Sequence, residues 1–401
     1  MQKDIYVFCQ LFYPELISSG QTVTELCESL ARHGKKITVY CAQPTILKSK
    51  KVDTTITYKT ITIKRLASTR FSKLNTIGKL INHITFSFSC IFKCLSLPRD
   101  AQLLVFTNPP ILPIIIRMIH EFKQLNYILV LFDLYPQTLV SANILKSTSW
   151  LTLIYSKLIN SAYQHARKLV SIGRCMKTVV DQQLTQKSNS IYIPIWADNH
   201  DIQHSKKTNH FRSMWDLKNK FIVGYSGNLA RFHPIETLLE AAKKLLHEDQ
   251  IVFLFVGEGA KKKWAQEYCA KHNLTNCIFK PYVKREELAQ LLSTFDCGLV
   301  GLLKENTGFS VPSKTMGLLS AGVPVLACMS PHCEVSLILN QYNCGIQSNP
   351  SDSDTLAENI MYFFQYPDKR LKYAKQAKVA YNSRFNLEHI TQEYLQILSK
   401  A

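Results

Sequence analysis

The sequence predicts an α/β protein made of two doubly wound parallel-sheet domains with a cleft between them. Three observations carry that prediction. The 401 residues are 46% hydrophobic and 19% charged, enough chain and apolar content for two ordinary domains with large cores. Short apolar runs alternate with helical periods, as expected of buried parallel strands covered on both faces. The alternation closes near residue 198 and restarts at Phe221. The expected domains are therefore 1–198 and 199–379, with a C-terminal helix of about 380–401 packing back on the first.

The elements follow in order. "DIYVFCQLF" reads as a buried strand, and a helix runs from about Thr22 to His33, ending at Gly34. "KITVYCAQP" is the next strand, and residues 54–66 alternate apolar and polar like a strand or hairpin. "AQLLVFTNPP", "YILVLFDLYP", "RKLVSIG" and "NSIYIPI" supply the remaining strands of the first half. In the second half come "FIVGYSGNL", a helix over 235–247, "IVFLFVGEG", a helix over 261–272, and "CIFKPYV". A helix over 285–293, "DCGLVGL", a helix after Pro312 and "GVPVLAC" complete the cycle, and a long helix of roughly 370–400 ends the chain.

The net charge is +19, and it is concentrated. Between Arg32 and Arg99 stand fourteen Lys or Arg residues against a single acid, Asp53. The same region holds apolar residues at 77, 80, 81, 84, 88, 91, 92 and 95, a helical period. Two readings are open: a helix packed on its own core with a solvated lysine face, or a helix lying on an anionic membrane surface. Nucleic acid is not an expected partner, because no recognised binding motif accompanies the charge. Membrane spanning is not expected either, since "LLVFTNPPILPIIIRMI" is broken by three prolines and carries Arg117. Asp4 lies within any would-be signal region, which argues against a secretory leader. Twelve cysteines without a Cys-x-x-Cys pair read as reduced core thiols of a cytoplasmic protein.

Ligands of doubly wound sheets bind beyond the carboxyl ends of strands. Those ends carry "YPELISSGQTV" with Gly20, "FDLYP" with Asp133, "SIGRCM" with Gly173 and Arg174, and "IPIWADN" with Trp196 and Asp198. In the second half they carry "SGNLARFH", "VGEGAKK" and "PYV". The stretch "TGFSVPSKTMGLLSAGVPVLAC" places Pro312, Ser313 and Lys314 at a helix start, an arrangement suited to phosphate. No G-x-G-x-x-G follows the first strand and no G-x-x-x-x-G-K-[ST] loop occurs, which counts against dinucleotide enzymes and P-loop nucleotidases.

Taken together, "YPELISSGQTVTELCESLARHG", "FTNPP", "FDLYP", "SIGRCM", "IPIWADN", "YSGNL", "FVGEGA" and "VPSKTMGLLSAGVPVLA" resemble glycosyltransferase family 4, in order over some 330 residues. The likeness is to the bacterial branch that builds capsular, O-antigen and colanic-acid polysaccharides. It implies two facing Rossmann-like domains of the GT-B type. It also implies retaining transfer from a nucleotide-diphosphate sugar, with uridine the expected base, to a polyprenyl-diphosphate-linked saccharide. That acceptor places the protein in the cytoplasm, peripherally on the inner face of the plasma membrane. Two other classes share the fold or its context: a nucleotide-sugar 2-epimerase, and a noncatalytic partner in a polysaccharide assembly complex.

The chain departs from the family pattern. The positions of the family's Glu-x7-Glu pair fall on Phe309 and Gly317, and those of its donor-side Arg and Lys on Asn228 and His233. Arg231 stands close by. Lys314, Ser313 as helix cap, the helix N-terminus behind them and backbone groups near Gly20 are the expected substitutes at the diphosphate. The donor-side set is Gly20, Gly227, Asn228, Arg231, His233, Gly257, Glu258, Tyr282, Val283, Ser313, Lys314 and Glu334. Within it Glu258 and the Tyr282–Val283 backbone line the base and ribose, and Glu334 approaches the sugar. Asp133 is expected to orient or deprotonate the acceptor hydroxyl, or else to cap a turn. The sequence is read as carrying no Asp-x-Asp pair anywhere, and no cofactor or obligatory divalent metal is expected.

Overall fold

The structure, a computed structural model, describes residues 4–15, 19–45, 52–72, 76–184, 189–197 and 209–399. It divides into two units, Met1–Pro194 with Leu387–Ala401, and Ile195–Asn386.

In the first unit the apolar runs become β1 (Ile5–Phe8), β2 (Ile37–Cys41), β3 (Thr55–Tyr58), β4 (Ile61–Arg65), β5 (Gln102–Phe106), β6 (Asn126–Leu131), β7 (Lys168–Ser171) and β8 (Ser190–Tyr192). They form one sheet in the order β3-β4-β2-β1-β5-β6-β7-β8. The alternating stretch 54–66 is a hairpin: β3 runs antiparallel to β4, with Ile56 opposite Ile63. The other pairs in this sheet are parallel. The helices are α1 (Ser19–Arg32), α2 (Thr76–Ser96), α3 (Leu112–Lys123), α4 (Gln137–Ser141), α5 (Trp150–Gln164) and α6 (Arg174–Gln183).

The sheet order reverses direction at β1, so right-handed crossovers put α1 on one face and α2, α3 and α5 side by side on the other. α3 packs against both α2 and α5. α2 sits the opposite way from an ordinary surface helix. Asn82, Phe86, Ser87, Cys90 and Cys94 point inward and are buried, while Ile77, Leu80, Ile84, Phe88, Phe92 and Leu95 are exposed. The expected apolar stripe is present, and it faces outward.

The second unit has β9 (Phe221–Ser226), β10 (Ile251–Val256), β11 (Cys277–Lys280), β12 (Cys297–Gly301), β13 (Val325–Cys328) and β14 (Gly345–Ser348), in the order β11-β10-β9-β12-β13-β14. All its strand pairs are parallel. This is the doubly wound order whose switch point lies between the first and fourth strands, here β9 and β12. Its helices are α7 (His210–Met214), α8 (Ile235–Lys244), α9 (Lys262–Lys271), α10 (Leu288–Leu292), α11 (Lys314–Ser320), α12 (Glu334–Tyr342), α13 (Ser353–Gln365) and α14 (Pro367–Ala380). Val223, Tyr225, Leu238, Phe253, Phe255 and Leu299 centre the core between β9, β10, β12 and α8.

The long C-terminal helix expected over 370–400 is two helices. α14 ends at a π-helical turn, Tyr381–Phe385, and α15 (Leu387–Ser399) follows. α15 packs on α1. Thr391 Oγ1 donates to Ser29 Oγ at 2.8 Å, and Gln102 Nε2 donates to the Leu398 carbonyl at 2.8 Å, both buried. The helix expected over 285–293 is a 3₁₀ turn, Arg285–Glu287, running into α10. The helix expected to reach residue 247 stops at Lys244.

Candidate functional site

The strongest cluster forms in the second unit, beyond the carboxyl ends of β9, β10 and β12. Gly227 leaves β9 with φ 137°, and Gly257 leaves β10 with φ 148°. A Cβ at Gly257 would lie 2.0 Å from the Gly227 carbonyl oxygen, so the two turns are interlocked and only glycine fits there. The Leu229 amide donates to the Glu258 carbonyl at 2.8 Å and holds the two loops together.

Lys314 enters this cradle from the first turn of α11. Its Nζ stands 3.7 Å from the centre of the Tyr225 ring and would lie 3.5 Å from a Cβ at Gly227. That amine is buried and has no hydrogen-bond partner among the described residues. Burial pushes it down to about 7. The aromatic face beneath it supplies some cation–π stabilisation, but a buried ammonium without an anion remains costly.

His233 follows a different logic. It is 5% exposed, and burial, then the charge of Lys314, hold it down to about 2, so its ring is neutral. Nδ1 lies 2.9 Å from the Asn228 carbonyl and 2.7 Å from the Tyr225 hydroxyl. The Tyr225 hydroxyl donates to the same carbonyl at 2.8 Å. With the hydroxyl proton spent there, Nδ1–H donates to the carbonyl and the hydroxyl oxygen. His233 therefore fastens its own loop and carries no positive charge for a ligand. Lys261 backs this loop, donating to the His233 carbonyl at 2.8 Å and pairing with Glu236 at 2.7 Å.

The other donor-side residues divide. Arg231 is exposed. Glu258 pairs with Lys262 at 2.6 Å, which commits its carboxylate. The Tyr282 ring is 54% exposed and packs against Gly257, with Cε1 3.3 Å from where a Cβ would stand. Val283 is half-buried beside it. Glu334 is buried at the first position of α12. Ser313 corrects the sequence reading: it has helical angles, φ −61° and ψ −25°, and its side chain caps nothing. A cap requires an extended residue whose oxygen turns back onto the next turn. The α11 helix is only seven residues long, and its first turn closes with i→i+3 bonds from Thr315 and Met316. The charge at this corner is that of Lys314, with little from the helix itself.

Sequence reasoning missed Tyr225 and Gly259. Tyr225 is concealed as one more apolar letter of a strand. Gly259, φ 151°, was visible in "VGEG"; a Cβ there would meet Asn228 Oδ1 at 2.4 Å. The expectation of no Asp-x-Asp pair is corrected: Asp352-Ser353-Asp354 spells one, but both carboxylates are occupied. Asp352 caps α13 by accepting from the Thr355 amide at 2.9 Å and its hydroxyl at 2.7 Å, and Asp354 pairs with Lys244. Among the described residues no three His, Cys, Asp or Glu side chains are grouped to hold a metal ion.

In the first unit the loops after β1 and β5 meet at the reversal point. The Gln10 amide donates to the Asn108 carbonyl at 3.1 Å, and Asn108 Nδ2 donates to Ser19 Oγ at 2.8 Å. Gly20 is buried next to them, and a Cβ there would lie 2.6 Å from the Glu15 carbonyl oxygen. Asp133 follows β6. Burial pushes its carboxyl up to about 6, against the lowering influence of Lys79. α4 starts at Gln137 behind Pro136, with no side-chain cap, so Asp133 does not cap it. Asp198 lies outside the described residues, as do Lys48, Lys50, Lys51 and Lys73 of the basic stretch.

Comparison with known proteins fits this geometry. Residues 206–380 match the family of Glycosyl transferases group 1. The chain is 28% identical over 271 residues to WbjE of Pseudomonas aeruginosa, named as a glycosyltransferase, covering 65% of this chain and 66% of that one. It is 28% identical over 165 residues to WcaI of Escherichia coli K12, named for colanic acid biosynthesis, covering 40% of each. The matched parts thus span just under two thirds of the first relative and less of the second. Among solved structures, sucrose-phosphate synthase of Thermosynechococcus elongatus superposes with TM-score 0.78 at 15% identity, covering 100% of both chains. Anabaena HepE, solved with UDP-glucose, gives TM-score 0.74 at 15% identity over 99% of this chain and 100% of that one. The chain shares the fold of these two structures.

Proposed function

We propose, because residues 206–380 match the group 1 glycosyl transferases, that the protein transfers a sugar from a nucleotide-diphosphate donor during assembly of a cell-surface polysaccharide. The observation that carries this reading is the buried Lys314 amine, without a hydrogen-bond partner among the described residues, set among glycine turns at the sheet's switch point. A diphosphate supplies the missing anion. The leaving nucleoside diphosphate gains negative charge in the transition state, so a preorganised cation there favours bond breaking. Arg231, exposed on the adjoining loop, is the second cation within the same segment. Tyr282, open on one face, is suited to stacking against the base. Charge at the phosphates is met by the chain itself, and chelation of divalent ions should leave turnover intact.

The acceptor is a lipid-linked saccharide at the inner membrane face, and transfer retains the anomeric configuration. WcaI's name, colanic acid biosynthesis, supports a role in polysaccharide assembly. Asp133 acts on the acceptor hydroxyl: a carboxyl raised to about 6 is poised for proton exchange near neutral pH. The test incubates the full chain with labelled nucleotide-sugars, with and without polyprenyl-diphosphate-linked acceptors. Label appearing in lipid supports the proposal. Donor interconversion without acceptor would indicate the epimerase, and no donor binding would indicate a noncatalytic partner.

A further inference from the structure

Three polar side chains on one ridge of α2 grip a single loop, residues 66–72, which leaves the carboxyl end of β4. Asn82 is 3% exposed. Its Oδ1 accepts from the Phe71 amide at 2.9 Å and from the Thr69 hydroxyl at 2.8 Å. Its Nδ2 donates to the Phe71 carbonyl at 2.9 Å. One turn on, Thr85 Oγ1 accepts from the Thr69 amide at 3.1 Å, and Ser89 Oγ donates to the Ala67 carbonyl at 2.6 Å. Positions 82, 85 and 89 share one helix face. A buried amide is costly unless its bonds are met, and here the loop backbone meets them.

The loop's place gives this clamp a purpose. Ligands of doubly wound sheets bind beyond the carboxyl ends of strands, and residues 66–72 lie on that side. The Leu66 amide donates to the Cys41 carbonyl at 2.8 Å, and Arg70 Nε donates to the Pro44 carbonyl at 2.9 Å, so the loop is also tied to the exit of β2. Its far end abuts the first turn of α2: a Cβ at Gly78 would lie 2.7 Å from Phe71 Cβ. Lys79, the next residue, stands near enough to Asp133 that its charge opposes the burial that raises that carboxyl. The loop thus leads from the exit of β4 toward Asp133, the residue assigned to the acceptor hydroxyl.

We infer that the 66–72 loop forms one wall of the acceptor site and that Asn82 is its positioning residue, setting acceptor affinity without touching the acceptor. The inference rests on the reading of the protein as a transferase to a lipid-linked saccharide, and it names the element that grips that saccharide. Displacing a substrate by about 1 Å can cost about 10²-fold, and a loop outside helix and strand keeps its shape only through bonds of this kind. Thr85 and Ser89 hold the earlier part of the same loop.

The experiment compares the full chain with Asn82→Leu and Thr85→Val. Leucine is close to asparagine in size but can neither donate nor accept, and valine keeps the shape of Thr85 while removing the acceptor for the Thr69 amide. Hydrogen exchange reports the loop. Steady-state transfer to the polyprenyl-diphosphate-linked saccharide that the parent glycosylates reports the site. Amides of residues 67–71 should exchange faster in both variants. The KM for that saccharide should rise about 10-fold or more in Asn82→Leu and by less in Thr85→Val. Turnover at saturating acceptor and UDP affinity should stay near the parent's, because Lys314 and its glycine turns belong to the other unit. The inference is overturned if the loop loosens without a change in acceptor KM, if exchange at 67–71 is unaltered, or if UDP affinity falls in step. If the parent itself labels no lipid-linked saccharide, the transferase reading fails and takes the acceptor wall with it, an outcome recognised in the parent alone.

Discussion

At the residue scale, Lys314 and Asp133 are linked by one physical theme: burial has displaced each from its ordinary protonation range toward neutrality. For Lys314 the folded-state value, about 7, lies below the unfolded value. Between pH 7 and about 10 the unfolded chain binds more protons, so this residue makes stability rise with pH across that window. Below pH 7 the full cost of the buried charge is felt. Lys314→Met should then raise the thermal midpoint of the unliganded protein near pH 6 to 7 by about 2 to 4 °C per kcal/mol recovered. It should also flatten the rise toward pH 10. Differential scanning calorimetry over that range is the check, and an unstable variant with an unchanged pH slope would count against the burial argument. Asp133 gives the opposite limb. Its raised carboxyl must be deprotonated to accept a proton, so kcat/KM should climb through about pH 6. Asp133→Asn should remove that limb and cut turnover about 10² to 10⁴-fold while sparing UDP affinity. A pH–rate profile of both forms decides this.

At the element scale, the glycine turns behind β9 and β10 have no slack. Gly257→Ala must displace the Gly227 carbonyl, now 2.0 Å from the new methyl position, and adopt φ 148°. A loss of about 1 to 3 kcal/mol is expected, with weaker UDP binding because the Lys314 cradle opens. Chemical denaturation and calorimetry test both parts, and a stable variant with intact affinity would show that the loops yield. The strands and the doubly wound class were legible because apolar runs and Gly/Pro turns are local signals, whereas the order β11-β10-β9-β12-β13-β14 comes from tertiary pairing. Tyr225 was not legible, since its place comes from tertiary packing of a strand residue under Lys314, 89 positions away. The Ser313 cap was misread because the residue type suits a cap and only its backbone angles forbid one. For α2 the period was plain in sequence, but which side faced water depended on Asn82, Ser87, Cys90 and Cys94 being taken inward.

At the scale of the whole molecule, the first unit is completed by the last segment of the chain. Ile390, Tyr394 and Leu398 are buried on it, and Thr391 and Leu398 bond to Ser29 and Gln102. Ending the chain before Leu387 should remove about 5 kcal/mol or more from that unit, at about 1.5 to 3 kcal/mol per buried side chain. UDP binding to residues 206–380 should be affected far less. Separate unfolding transitions by calorimetry would reveal the difference, and equal losses in both would contradict it. The central claim concerns the second unit: the Lys314 amine, buried and without a hydrogen-bond partner among the described residues, is proposed to meet the donor diphosphate. Isothermal titration of UDP and of uridine into the parent and Lys314→Met tests it most directly. The expected result is UDP affinity lower by about 10 to 100-fold, from the loss of charge-assisted bonds of about 1.5 to 3 kcal/mol, with uridine affinity unchanged. Equal UDP affinity in the two proteins, or equal losses for UDP and uridine, would contradict the assignment of Lys314 to the diphosphate.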